Sequence, residues 1–388
     1  MIKLKIVIAI DSFKGSLTSI DAANVTASAI KKLFGDKVTI KKFPLADGGE
    51  GTVDALTSGL GGEIINTEVI GPLGEKILSR YGLIKSKNTA VIEMADAAGL
   101  NLVPEHLRNP LKTTTYGLGE LIINAVNKGC REFIIGIGGS ATNDCGLGML
   151  SALGVKFFDS DQKSVSIFGA DLKNISTIDL STINPLIKEC KFKIACDVKN
   201  PLYGENGCSV IYAPQKGATP EIVIEMDRYI KHFADIVKTQ LNLTGAEVEG
   251  AGAAGGLGYA FHIFLNATLE PGIDLILNAI NIKDDLKNAD ILITGEGRLD
   301  SQTIMGKAPI GVAKLAKKIN PNIKVIAVCG CANEDAEIVN DHGIDAYFPI
   351  LHKAISVNEA MEISTAKKNL SQTITQIFRL LNLGDKNE

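Results

Sequence analysis

The chain has 388 residues, of which 45% are hydrophobic and 22% charged, and its formal net charge is -4. That length exceeds one ordinary hydrophobic core, so two domains are expected. The balance is globular rather than disordered or fibrous, and interspersed acids and bases give no reason to expect nucleic acid or an anionic membrane as partner. In the opening MIKLKIVIAID the apolar run Ile6 to Ile10 is too short for a secretion signal and ends at Asp11. No stretch approaches the roughly 18 apolar residues of a membrane span, so a soluble, cytoplasmic protein is expected. The seven cysteines lack a framework spacing and read as reduced, buried thiols. The five histidines show neither HxxxH nor HExxH spacing, which argues against a histidine-bound zinc.

In chain order, residues 3 to 10 read as a buried strand, 18 to 34 as a helix opened by Thr18, and 37 to 43 as a second strand. Strand candidates then follow in succession at 63 to 70, 77 to 84 and 89 to 94, implying antiparallel pairing. A helix over 113 to 128 leads into the strand EFIIGIGG, and further strands are expected at 192 to 196 and near 208 to 213. The long helix 219 to 241 comes next, then a glycine-rich helix start after Gly250. Apolar strands recur at 289 to 294, 324 to 330 and 344 to 350, with helices near 309 to 319, 333 to 341 and 357 to 381, and residues 384 to 388 read as a frayed tail. Strands alternating with helices at both ends predict one doubly wound parallel sheet. The expected architecture is therefore α/β with two domains. Residues 1–74 plus 286–388 would form the doubly wound one, 75–285 an inserted mixed α/β domain, and a small-molecule site would lie in the cleft between them.

Five loops carry chemistry. DSFKGS, Asp11 to Ser16, leaves the carboxyl end of the first strand, where open parallel sheets meet ligands, and supplies Ser12, Lys14 and Ser16. ADGGEGT, Ala46 to Thr52, brings Asp47 and Glu50 to one tight bend, although Glu50 also suits the start of a helix. GIGGSATND, Gly136 to Asp144, has the small residues of a backbone nest for phosphate, with Gly138, Gly139, Ser140 and Asn143 as candidates. ACDVKNPL ends a strand on Asp197, an acid able to orient a hydroxyl or bind Mg2+, and PQKGA supplies Lys216. TGEGRLDSQT, Thr294 to Thr303, crowds Glu296, Arg298 and Asp300 onto one strand end, with Lys307 following. GAGAAG at 250 to 255 matches a dinucleotide pattern literally but follows no good strand, and no GxxxxGK[ST] P-loop is present. Cations and backbone donors for phosphates, with acids for Mg2+ and a hydroxyl proton, fit phosphoryl transfer.

These motifs, together with RNPL, TTTYGLGELI and GAGAAGGLG, occur in uninterrupted order over about residues 4 to 350. The sequence thereby resembles the bacterial glycerate kinase family. The resemblance implies a discontinuous flavodoxin-like domain with an inserted mixed α/β domain, ATP and Mg2+ as cofactors, and glycerate as substrate. Transfer to the 2-hydroxyl is the lean, and the 3-hydroxyl product is chemically as reasonable. Ile10 and Cys145 depart from the pattern, standing where the family often has Pro and Gly. Asp197 is assigned as the base with Asp47 as rival, and Lys14 as the catalytic cation. Ser12, Asp47, Arg108 and Arg298 are assigned to substrate, and Gly138, Gly139, Ser140, Asn143 and Lys216 to nucleotide. Asp300 is the expected metal ligand. Competing readings are a nicotinamide-dependent reductase of small hydroxy acids, suggested by GAGAAG, and a non-catalytic metabolite-binding protein.

Overall fold

The computed structural model describes residues 3–384, so the last four residues of the expected tail lie outside the described residues. Among the described residues thirteen strands run in chain order: β1 (Leu4–Ile10), β2 (Val38–Lys42), β3 (Glu63–Ile70), β4 (Lys76–Ile84), β5 (Thr89–Glu93), β6 (Glu132–Gly136), β7 (Lys156–Phe158), β8 (Thr177–Asp179), β9 (Lys191–Ala195), β10 (Thr268–Glu270), β11 (Ile291–Leu299), β12 (Lys324–Ala332) and β13 (Ala346–Pro349). They fall into two compact units. One contains residues up to Asp47, Asp54–Gly59 and the chain from Ile273 on, and the other Gly48–Val53 and Leu60–Gly272.

The first unit is built on a parallel sheet in the order β2-β1-β11-β12-β13. Counted within the sheet this is 2-1-3-4-5, the flavodoxin-like order, whose switch point lies between β1 and β11. Ile6 through Ile10 of β1 are all buried, as a strand covered on both faces requires. Each such isoleucine contributes about 1.5–3 kcal/mol by leaving water. The helix Ser19–Phe34 covers the sheet with Ala22, Ala23 and Ile30. Thr18 caps it by accepting from the Asp21 N–H at 3.0 Å, as the sequence predicts. The register Ile10↔Gly295, with the Asp11 N–H donating to the Gly295 carbonyl at 2.9 Å, lays the loop after β1 beside the last residues of β11.

The second unit carries a six-stranded mixed sheet in the order β10-β9-β6-β5-β4-β3 and a small antiparallel pair, β7-β8. β3, β4 and β5 pair antiparallel, whereas β5, β6, β9 and β10 run parallel. Because β3 pairs with β4 from Glu63↔Leu83 to Ile70↔Lys76, residues 60–74 group with this unit and not with the first, as the 74/75 boundary assumed. On the return the boundary falls at 272/273 instead of 285/286, since Gly311 of the first unit packs directly on Ile273. The strand expected near 208 to 213 is the helix Cys208–Tyr212, a short apolar run that periodicity alone assigns to neither class. No described helix is long and apolar enough to cross a membrane.

Candidate active site

At the switch point of the first unit, the loop after β1, the end of β11 and the loop that follows it gather the charges. Asp11 is buried, and burial first, then the Asp47 carboxylate, raises its carboxyl to about 7. Lys14 lies on the same loop with Nζ 3.7 Å from Asp47 Oδ2. The hydroxyls of Ser12 and Ser16 are buried without a hydrogen-bond partner, an arrangement costly unless a further acceptor or donor meets them.

In the last part of β11 the Glu296 carboxylate accepts from Thr303 Oγ1 at 2.7 Å and has its pKa raised by burial. Lys307 Nζ stands 3.7 Å from Glu296 Oε2 and 3.9 Å from Asp300 Oδ1. Arg298 Nε lies 3.9 Å from Asp300 Oδ2, with most of its side chain exposed. Asp300 is itself held by accepting from the Gln302 N–H at 3.0 Å. This unit therefore brings Ser12, Lys14, Asp47 and Asp300 on loops, and Arg298 on the end of β11, to one end of its sheet. Sequence reasoning left out Asp11 as a titrating group. Its position directly after a wholly apolar strand was the available signal.

In the second unit the loop after β6 runs over Gly138 and Gly139, both exposed, to Ser140, Thr142, Asn143 and Asp144, all buried. The helix Leu147–Ala152 starts late, and Asp144 already takes its first donors, accepting from Gly146 N–H and Gly148 N–H at 3.2 Å each. The same carboxylate accepts from Thr115 N–H and Thr115 Oγ1, both at 2.8 Å. Burial raises its pKa, while these donors pull it down. Asp144 is thus a latch between two segments, a role sequence spacing did not suggest. The next residue, Cys145, is buried with φ +52°, a left-handed backbone that explains why glycine suits this position.

Lys216 is fully buried and does not project toward solvent, as a direct nucleotide contact would require. Its Nζ donates to Ser140 Oγ at 2.7 Å and to the Thr142 carbonyl at 2.6 Å, and burial lowers its pKa to about 8. It braces the glycine loop from behind. Gly217 packs on the Arg108 carbonyl, and Arg108 Nε is buried without a partner. Asn143 Nδ2 donates to Ser209 Oγ at 2.9 Å, leaving Asn143 Oδ1 and Thr142 Oγ1 unpartnered. Asp197 is exposed and its Oδ1 accepts from the Gly272 N–H at 2.9 Å. Glu93, also missed, accepts from Val53 N–H at 2.7 Å and is raised to about 7 by burial. The GAGAAG stretch has no strand before it. Ala254, Gly255 and Gly256 are left-handed, and a Cβ on Gly255 would sit 2.2 Å from the Thr142 carbonyl, so these glycines serve backbone packing and not a dinucleotide.

Acids interleaved with ammonium and guanidinium groups at the carboxyl ends of parallel strands are the parts of a phosphotransferase. The comparisons with known proteins give the particular family. Residues 6–382 match the model of the glycerate kinase family. A glycerate kinase of Haemophilus influenzae is 47% identical over 97% of this chain and 99% of its own length. A glycerate 2-kinase of Escherichia coli K12 is 43% identical over 96% and 98%. The crystal structure of a provisionally named glycerate kinase 2 from Salmonella typhimurium LT2 superposes with a TM-score of 0.90 at 40% identity, covering 99% of this chain and all of that one. The chain belongs to the glycerate kinase family, enzymes that transfer a phosphoryl group to an alcohol of glycerate.

Proposed function

We propose that the protein is a cytoplasmic kinase that uses ATP and Mg2+ to phosphorylate D-glycerate, giving 2-phosphoglycerate. The observation that carries the reading is the switch-point cluster of Asp11, Lys14, Asp47, Glu296, Asp300 and Lys307 at the end of a flavodoxin-ordered sheet. The 2-hydroxyl is favoured because the Escherichia coli relative is named for it.

Among the described residues no group of three or more His, Cys, Asp or Glu could hold a metal ion. Mg2+ typically takes one or two carboxylates plus substrate phosphates, so Asp300 with Glu296 fits an ion that arrives with the nucleotide. Bound there, it would neutralise charge on the phosphates. Lys14 then serves as the mobile cation for the transferred group, and the unpartnered hydroxyls of Ser12 and Ser16 offer it hydrogen bonds. Arg298, largely exposed, and Arg108, whose Nε lacks a partner, suit the glycerate carboxylate, and Asp47 a glycerate hydroxyl. Gly138, Gly139, Ser140 and Asn143 form the nucleotide loop, with Lys216 holding its shape. Asp197 accepts the proton of the attacking hydroxyl, and its bond to Gly272 fixes the carboxylate's direction. The test is a coupled assay of ADP release. Turnover should require D-glycerate, ATP and Mg2+ together, and ADP release indifferent to glycerate would count against the proposal.

A further inference from the structure

The second unit has a cavity of about 520 Å³ that none of the assigned residues lines. Its walls come from the helix Pro220–Leu241 through Asp235 and Lys238, from the segment 243 to 248, and from Tyr203 and Tyr259. That volume is within the usual range for a small-molecule site, and Leu243, Val248 and the two tyrosine rings give the apolar lining such sites have. Its polar groups are uncommitted. Tyr259 is only 1% exposed, yet its hydroxyl makes no hydrogen bond to any described residue. Its oxygen is not sealed among the buried unpartnered atoms but keeps contact with solvent, so it is available to an occupant of the cavity. Its ring leans edge-on against Phe233, and the residue lines the cavity together with Tyr203 and Asp235. The carboxylates of Asp235 and Glu247 and the ammonium of Lys238 make no ion pair among the described residues.

We infer that this cavity is a binding site for a small organic ammonium, held by the carboxylates of Asp235 and Glu247, the Tyr203 and Tyr259 hydroxyls and the faces of their rings. Two acids against one lysine leave an excess negative charge, and aromatic faces attract a cation. The apolar wall suits a short carbon chain, and no described cluster has the donor set of a metal site. The site also reaches the glycine loop. Tyr259 lies on the helix whose left-handed start, Gly255 and Gly256, packs on Thr142, Asn143 and Cys145. An occupant that orders the segment 243 to 248 would stiffen that start.

The probe is n-butylammonium, with butan-1-ol as its neutral isostere, titrated into the full-length isotope-labelled protein and followed by backbone amide NMR. Saturable millimolar binding by the ammonium alone is expected, with shifts concentrated at residues 234 to 248. Tyr259→Phe removes an oxygen that has no protein partner, so it should fold as the parent and weaken binding by about threefold or more, the usual worth of one hydrogen bond. Asp235→Asn with Glu247→Gln, both on the surface, should weaken it by about tenfold and leave basal turnover unchanged. No saturable shift, equal binding of butan-1-ol, or undiminished affinity in the double variant would overturn the inference.

Discussion

Replacing Lys216 by methionine tests what the buried ammonium does. The variant keeps nearly the same volume but removes the charge and both donors, so Ser140 Oγ and the Thr142 carbonyl lose their partner. Leaving two buried acceptors unpaired costs about 1–3 kcal/mol each. Against that stands the cost of keeping the ammonium charged. Its fall from 10.5 to about 8 means that the native state disfavours the charge by about 3 kcal/mol relative to the unfolded chain. The two effects oppose each other at similar size, so at neutral pH the variant should differ from the parent by no more than about 3 kcal/mol. The sign separates them. Between the native pKa and the unfolded one, the unfolded parent binds a proton that the folded parent does not, so the parent gains stability as pH rises while Lys216→Met does not. The gap should widen in the parent's favour by about 2 kcal/mol between about pH 8 and pH 9.5. Urea unfolding read by far-UV circular dichroism measures it, the chain having no tryptophan. A flat difference across that range would refute the buried-ammonium argument. The same variant should raise the KM for ATP, because the loop over Gly138 to Asn143 loses its brace.

Asp197→Asn keeps an oxygen that accepts from Gly272, so the fold should stand while turnover falls by about a hundredfold or more; near-normal turnover would move the base to Asp47. At Gly138 the nearest atom to an added Cβ is Gly49 Cα at 3.6 Å, so Gly138→Val has room in the fold and should raise the KM for ATP by about tenfold without lowering Tm. An unchanged KM would make the loop structural. Asp11, raised above its ordinary 3.8 to about 7, adds stability that is fully present below the unfolded value and lost as pH rises through about 7. Asp11→Asn should therefore be more stable relative to the parent at pH 8 than at pH 5, and urea midpoints at the two pH values decide it.

The sheet of the first unit was legible because its strands are uninterrupted apolar runs. β1, β11 and β12 announce themselves as buried, and the acids and glycines just past them mark the ligand end. The pairing of β1 with β11, far apart along the chain, followed from the strand and helix alternation at both ends. The positions of Lys14, Asp47 and Asp300 were legible for the same reason, since each follows a strand directly or closes its loop. What hid was set by distance along the chain. Lys216 meets Ser140 across 76 residues, and Asp144 meets Thr115 across 29. A lysine in PQKGA reads as a nucleotide contact, and the acid of SATND carries no mark of its latching role, because nothing local reports that they point inward. Glu93 is likewise the end of an apolar strand, and only the fold shows that its carboxyl holds Val53. The boundary near residue 74 was misjudged because β3 looks the same in sequence whichever sheet it joins.

The most direct test of the central claim is 31P NMR of the purified protein with D-glycerate, ATP and Mg2+. ADP and 2-phosphoglycerate should appear in equal amounts, with no change on adding NADH or NADPH. Reduction of a keto or semialdehyde acid without ATP turnover, or ATP consumed with no phosphoglycerate formed, would contradict it.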